Sequence, residues 1–405
     1  NLIGISEADL FSNEQAVQLI TNQKGLNFIP GDEFEYCNSG FILLAEIVKR
    51  VSGKSFAEFT KERIFEPLKM KNSQFIDDPE IIVKNRADSY YKTDTIYYKS
   101  ILNHSFVGST GLNTTAEDLS LWAVNFEKKT IGNDAIFNKM KEKSRLNNGE
   151  FIPYALGQEN KIYKGLNVIF HGGGIAGYGS YVLRIPEENL AVVYLCNSQI
   201  FHPIDIAYKI VDYYLAEKEN HTEIKPVFNP TLLQGFVGDY EPFPGLIVSI
   251  SKENDTLILQ SKGDTSKVKL VQSADNEFIY TNRPHSKIVF DTTNGPIANF
   301  LNWHFSDFSY KGQRIDLQPF DETKINLKEI VGNYYNSEVN TTYSLVIKGN
   351  KLVATHNINA DIILTPLQPE VFVSNYTGFY GKIEMIRNSQ NIITKAAPTT
   401  NCIIS

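Results

Sequence analysis

Two short stretches carry residue types that could do chemistry. The first is Tyr36-Cys37-Asn38, which follows a Pro30-Gly31 turn and precedes an apolar run. A tyrosine can exchange a proton, and an asparagine both donates and accepts hydrogen bonds. Two apart on a helix-entry loop, they can point into one cleft. A free tyrosine titrates near 10, so action as a base at neutral pH takes a shift of about 3 units, or about 4 kcal/mol from a nearby cation. Alone, the tripeptide equally describes an asparagine capping a helix beside a packed tyrosine. The second stretch is His171-Gly172-Gly173-Gly174, at the end of a strand-like run. Glycines let a substrate lie against the backbone, and their N–H groups can form an oxyanion hole. The histidine can set a positive or hydrogen-bonding group beside a carboxylate. Alone, this stretch also describes a glycine-rich turn with an incidental histidine.

Several other chemistries are excluded by pattern. An HGGG motif occurs in α/β-hydrolases, but there a GxSxG elbow lies downstream. The nearest variants here, Gly4-Ile-Ser-Glu-Ala8 and Gly53-Lys-Ser-Phe-Ala57, both lie upstream of His171. The seven histidines are scattered with no HxH or HExxH spacing, so no metal site is expected, and no cofactor. Cys37, Cys196 and Cys402 form no CxxC and cannot all pair within one chain. A Cys37–His171 nucleophile would need an acidified thiol, and the middle residue of the tripeptide need not face the cleft. Apolar residues make up 42 % and charged residues 21 %, a globular composition that excludes a mainly disordered or collagen-like chain. A net charge of −7 makes a poor general binder of nucleic acid, and no apolar run is long enough to span a membrane.

The elements that must position these residues fall into three regions. Residues 1–216 read as mixed α and β. Short helical patterns cover 14–21 and 39–51, the latter with Phe41, Leu44, Val48 and Val51 at helical spacing and Gly53 just past its end. A further helix is expected from Ser55 to a stop before Pro67, and another after Thr115, whose side chain can cap it. From Lys161 the runs LNVIFHGGG, GYGSYVLRIP and LAVVYLCN read as antiparallel strands. Residues 204–217 return to helix, with Ile206, Ile210, Tyr213 and Tyr214 near one face. Residues 217–230 read as a charged linker ending in Pro230. Beyond it the chain is almost purely β and repeats. Phe236-Val-Gly-Asp-Tyr240 recurs as Ile330-Val-Gly-Asn-Tyr334, an offset of 94 (330 − 236), and Phe278 recurs as Phe372. This predicts two small β domains, 231–322 and 323–405, the second ending soon after Cys402 and one strand shorter.

Taken together, residues 1–216 resemble the serine β-lactamase-like family of class C β-lactamases, D-alanyl-D-alanine peptidases, related esterases and D-aminopeptidases. The stretch NFIPGDEFEYCNSGFILL from Asn27 to Leu44 resembles the segment bearing the family's Tyr-x-Asn. VSGKS (51–55), IFEPLKM (64–70) and GLNTTAED (111–118) resemble its next helix, turn and glycine-led helix start, and His171-Gly172-Gly173 resembles the motif that replaces Lys-Thr-Gly in many members. The C-terminal repeats resemble the lipocalin-like domains appended to some D-aminopeptidase-like members. The resemblance implies an α+β domain, an antiparallel sheet with helices, followed by two barrel-like domains. It implies a penicillin-binding-type serine hydrolase acting through an acyl-enzyme on D-amino-acid peptides, β-lactams or small esters. By motif, Tyr36 would move the proton, Asn38 would hold the substrate amide, and His171 would bind near a carboxylate or steer the tyrosine. Gly173 and Gly174 would meet the substrate, the Gly174 N–H as half of the oxyanion hole.

The family's nucleophile lies in a Ser-x-x-Lys upstream of Tyr-x-Asn. No such motif precedes Tyr36 here. The three matches, Ser89-Tyr-Tyr-Lys92, Ser249-Ile-Ser-Lys252 and Ser266-Lys-Val-Lys269, all follow it and read as chance. The nucleophile is therefore expected upstream of this chain. The alternative is a non-catalytic binder of peptidoglycan-like peptides on the same scaffold. If nothing precedes Asn1, the scaffold would expose a sheet edge and apolar surface, and the expectation is a homodimer, occupation of the edge by another segment, or poor stability. A small-molecule or peptide substrate and a bacterial envelope location, periplasmic or secreted, are implied by the resemblance alone.

Overall fold

In the computed structural model the described residues are 5, 7–93, 95–198, 203–216, 232–243, 245–281, 283–293, 295–305, 308–338, 340–376 and 379–398. The chain forms two compact units, one built on Ile5–His221 and the other on Thr222–Asn401. The linker expected at 217–230, together with Cys402, lies outside the described residues.

Local sequence signals start most helices of the first unit. α1 (Asn13–Thr21) opens with a capping box in which Ser12 and Gln15 satisfy each other's backbone N–H. α2 (Asn38–Ser52) ends where Gly53 turns left-handed at φ 68°. Its buried residues are Ile42 and Ala45, whereas Leu44 and Val51 of the expected face are 54 % and 84 % exposed. The loop at Gly108 sets that choice: a Cβ there would fall 2.3 Å from the Phe41 carbonyl oxygen and 2.9 Å from the Ala45 Cβ, so a glycine lets the backbone lie directly on α2. The helix expected to stop before Pro67 instead runs Phe56–Leu68, with a π-turn over Lys61–Phe65. The wide turn arrives just ahead of Pro67, which has no N–H to give. α3 (Ala116–Lys128) is capped by Thr115, whose side chain accepts the Asp118 N–H.

Five antiparallel strands follow in sequence order: β1 (Tyr154–Ala155), β2 (Gln158–Tyr163), β3 (Leu166–Ile175), β4 (Tyr178–Ile185) and β5 (Leu190–Cys196). The first three connections are two-residue turns of one kind: Leu156-Gly157, Lys164-Gly165 and Ala176-Gly177, with positive φ at both residues of each. Such turns match the twist of the strands they join. α4 (Pro203–Ala216) packs on this sheet, placing Ala207, Tyr208, Val211 and Leu215 among Phe170, Tyr181 and Leu183. The face expected from the sequence is the wrong one, since Ile210 and Tyr213 are 43 % and 75 % exposed. Small Ala207 admits the helix close to the sheet, and Tyr208 fills the space beside it.

The second unit holds both repeats. The first is a closed eight-stranded barrel, β6–β13: Gly238–Phe243, Leu246–Glu253, Thr256–Ser261, Val268–Ala274, Glu277–Tyr280, Arg283–Asp291, Phe300–Phe305 and Phe308–Ile315. Its interior is filled, with the Phe236 and Phe290 rings stacked at 4.4 Å and Phe278 and Tyr240 beside them, all essentially inaccessible to solvent. The second is a seven-stranded sheet in the same meander, β14–β20: Gly332–Asn336, Thr341–Lys348, Lys351–Thr355, Ile362–Gln368, Val371–Tyr376, Phe379–Arg387 and Ile393–Pro398. One device marks the repeat. The Tyr240 hydroxyl donates to the Phe236 carbonyl, and the Tyr334 hydroxyl, 94 residues on, donates to the Ile330 carbonyl.

Candidate active site

Tyr36 lies on the loop ahead of α2, and Asn38 is the first residue of that helix. Cys37 is the N-cap, is exposed, and makes no cap hydrogen bond. Asn38 is thus not a cap. Its Oδ1 accepts from the Tyr36 hydroxyl at 2.9 Å, which leaves its Nδ2 hydrogens as donors for a ligand.

β3 brings the glycine run to the same place. Its pairing with β2 ends at Glu159–Phe170, whereas its pairing with β4 continues to Ile175–Tyr178. Among the described residues, His171–Ile175 is therefore hydrogen-bonded to a strand on one edge only. Gly173 and Gly174 lie exposed on this stretch. Opposite them in β4 are Ser180 and Gly179. A Cβ at Gly173 would fall 2.5 Å from the Ser180 Oγ, so the bare backbone is part of how the two strands fit.

The His171 ring is held at both nitrogens. Nδ1 lies 2.6 Å from the Gly172 carbonyl oxygen, which only accepts, so Nδ1 carries a proton. Nε2 lies 3.2 Å from the Tyr154 hydroxyl, and in the neutral ring it accepts from that hydroxyl. Three rings stand together: Tyr36 and Tyr154 with centroids 5.8 Å apart, and His171 at 6.0 Å from each. Phe34 and Phe41 pack on Tyr154 from the α2 side.

Burial pushes the Tyr36 hydroxyl above its ordinary pKa, and the Glu159 carboxylate adds to the rise. Tyr154 is pushed up strongly, by burial first and then by the neighbouring Tyr36 and Glu159. Glu159 is 7 % exposed and lies opposite Tyr154 in the β1–β2 ladder. Both tyrosines are therefore protonated at neutral pH. The cation that a tyrosinate base would call for is not what this environment supplies.

Sequence reasoning missed Tyr154 and Glu159. A signal was present: Tyr154 stands three residues before Gly157 of the Leu156-Gly157 hairpin turn, next to the strand that leads to His171. None of the three Ser-x-x-Lys matches forms an activated pair. Ser89 is buried and gives its hydroxyl to the Ala176 carbonyl, while Lys92, three residues along the same strand, is exposed. Ser249 donates to Asp239, and Lys252 pairs with Asp255. Ser266 lies in the irregular segment ahead of β9, where its N–H donates to Asp264. Among the described residues no group of three or more His, Cys, Asp or Glu gathers as a metal site, and no helix is long and apolar enough to cross a membrane.

A mixed α/β domain with a Tyr-x-Asn at a helix entry, facing a glycine-bare strand led by histidine, is the arrangement of the serine β-lactamase scaffold. The Beta-lactamase family model matches residues 4–212, just over half of the sequence, and the chain belongs to that family. A D-aminopeptidase from Brucella anthropi is 25 % identical over 213 residues, covering 52 % of this chain and 40 % of that protein. A D-aminopeptidase from Brucella melitensis is 24 % identical over 282 residues, covering 68 % and 52 %. The chain thus spans about half the length of these relatives or less. Among solved structures, the octameric penicillin-binding protein homologue from Pyrococcus abyssi aligns over 77 % of both chains at 20 % identity, with a TM-score of 0.45.

Proposed function

We propose that Tyr36, Asn38, His171 and the open edge of β3 are the substrate-binding and proton-handling half of a serine-hydrolase acyl-transfer site, and that the nucleophile comes from a Ser-x-x-Lys segment outside these 405 residues. The observation that carries the reading is the convergence of Tyr36, Asn38 and His171 beside the stretch of β3 that, among the described residues, has a strand on one edge only. A substrate acyl chain can add along that edge by main-chain hydrogen bonds, with the Gly174 N–H facing the developing oxyanion. Asn38 holds a substrate carbonyl through Nδ2. Tyr36, protonated, gives its proton to the leaving group. His171, held by Gly172 and Tyr154, positions the ring cluster. D-Amino-acid peptides and amides, β-lactams and small esters are the proposed substrates, and the bacterial envelope is the proposed compartment.

The test uses protein purified from its native source. D-Alanine p-nitroanilide, a chromogenic cephalosporin and p-nitrophenyl acetate are offered in turn, and covalent adducts are sought by intact-mass spectrometry. Turnover with an acyl adduct on a serine outside this sequence is expected. A second reading, a non-catalytic binder of D-amino-acid peptides, is favoured by the hydrogen-bonded state of Ser89. Saturable peptide binding with no adduct and no turnover establishes it in place of the first.

A further inference from the structure

The outer faces of the two β repeats are built alike but used differently. Tyr240 and Tyr334 fix the correspondence, and the ladder register pairs Tyr240 with Val248 and Tyr334 with Tyr343. Asp239, Glu241 and Ile247 on the outside of β6–β7 thus correspond to Asn333, Tyr335 and Thr342 on the outside of β14–β15. In the first repeat this face is occupied. Ile247 is buried against Leu367 and Val373 of the second sheet, and Glu241 pairs with Lys382 at 3.4 Å. In the second repeat the same face is an open groove of about 720 Å³.

The groove's chemistry is uniform. Every described residue that lines it is uncharged, and every one has a hydrogen-bonding side chain, among them Asn333, Thr342, Ser344 and Thr355. His356 belongs to the neutral set. Its Nδ1 accepts from the Ile358 and Asn359 N–H groups, so Nε2 carries the proton and donates to the Thr341 hydroxyl at 2.8 Å. Burial also holds its pKa below the ordinary histidine value. Tyr335 offers a ring that is 63 % exposed and whose hydroxyl is tied to the Asn340 Oδ1 at 3.0 Å. Ser344 is tied to the Asn333 Oδ1 at 2.7 Å. A protein-docking face of the first repeat's kind would keep its apolar centre and its ion pair, and this one has neither.

We infer that the β14–β15 groove binds a neutral saccharide, with a pyranose face on the Tyr335 ring and ring hydroxyls on the surrounding amide and hydroxyl groups. Neutral polar groups satisfy sugar hydroxyls without the desolvation cost of a charge, and an aromatic plane accepts the apolar C–H face of a hexose. This inference stands apart from the acyl-transfer proposal.

The test applies the whole protein to an array of neutral glycans. Binding to hits is then quantified by calorimetry, with a heparin-derived trisaccharide as the charged control. Neutral oligosaccharide binding is expected, about tenfold weaker in Tyr335→Ala and also weakened in Thr342→Lys. Tyr335 is largely exposed, so the alanine variant should fold, and its circular dichroism spectrum checks this. Four results would overturn the inference: no neutral glycan bound, equal affinity for the heparin fragment, undiminished binding by both variants, or self-association through this face that Tyr335→Ala abolishes while no glycan binds.

Discussion

Two tyrosine hydroxyls meet at the site, and removing each separates their roles. Tyr36→Phe and Tyr154→Phe both keep the ring and so keep the three-ring packing. Tyr154 gives one neutral hydrogen bond to His171 Nε2, at 3.2 Å, the long end of the usual range, in a half-buried place. Its net worth is about 1 kcal/mol, or about fivefold in kcat/KM if the ring cluster loosens. Tyr36 is the proposed proton donor to the leaving group, and removing such a group costs about 10²–10⁴-fold. The chemistry of the leaving group sharpens the contrast. An anilide or amide leaves only with a proton, whereas p-nitrophenolate leaves without one. Tyr36→Phe should therefore cost far more on D-alanine p-nitroanilide than on p-nitrophenyl acetate, and Tyr154→Phe should cost about the same on both. A loss from Tyr154→Phe as large as that from Tyr36→Phe, or equal losses from Tyr36→Phe on the two substrates, would refute the assignment.

Leu156 sits at φ 44° in the turn that carries Tyr154 and is 59 % exposed, so Leu156→Asn gives up little packing and relieves a left-handed leucine. Urea unfolding should show a gain of about 0.5–1 kcal/mol. Gly173→Ala should destabilise by about 1 kcal/mol as its methyl meets the Ser180 Oγ, and Ser180→Ala should restore most of it, read as Tm. Burial raises the Tyr240 pKa from 10.0 to about 12, so the folded state holds that proton more tightly than the unfolded state. Stability is then level up to about pH 10 and falls as the pH rises towards 12, which Tm measured across that window should reproduce. Self-association is checked by sedimentation, and a protein that sediments as a monomer removes the expected homodimer.

Backbone punctuation was the most legible part of this fold. Gly53 and Thr115 mark helix ends through caps that need only their immediate neighbours. The repeat was legible because the barrel core reuses the same tyrosine device at a fixed offset. Helix faces were not legible. Both α2 and α4 carry apolar residues beyond the buried face, among them the exposed Leu44, Val51, Ile210 and Tyr213, and the buried side was decided by partners distant in sequence, Gly108 against α2 and the sheet against α4. Of the site, the motif residues were read, whereas the X-Gly turn was the one signal near Tyr154 and Glu159 and did not show what they meet. They act through a ladder register that pairs Tyr154 with Glu159 and Glu159 with Phe170, and a register is a property of the folded sheet.

That buried carboxylate limits what Tyr36 can do. A unit charge 4 Å away at an effective dielectric constant of about 20 is worth about 4 kcal/mol, or about 3 pKa units. One ammonium arriving with a nucleophile segment would therefore bring an ordinary tyrosine to about neutrality. Tyr36 does not start from the ordinary value, because burial and Glu159 have already raised it. The same ammonium leaves it still largely protonated at neutral pH, so Tyr36 is not the base while the lysine is charged. Tyr36 is then suited to giving a proton and receiving it back. Ultraviolet difference titration of the wild type against Tyr36→Phe should show no tyrosinate from Tyr36 at neutral pH, with or without the nucleophile segment. Tyrosinate from Tyr36 at neutral pH would show that the site gathers more positive charge than one lysine brings, and would return the base role to Tyr36.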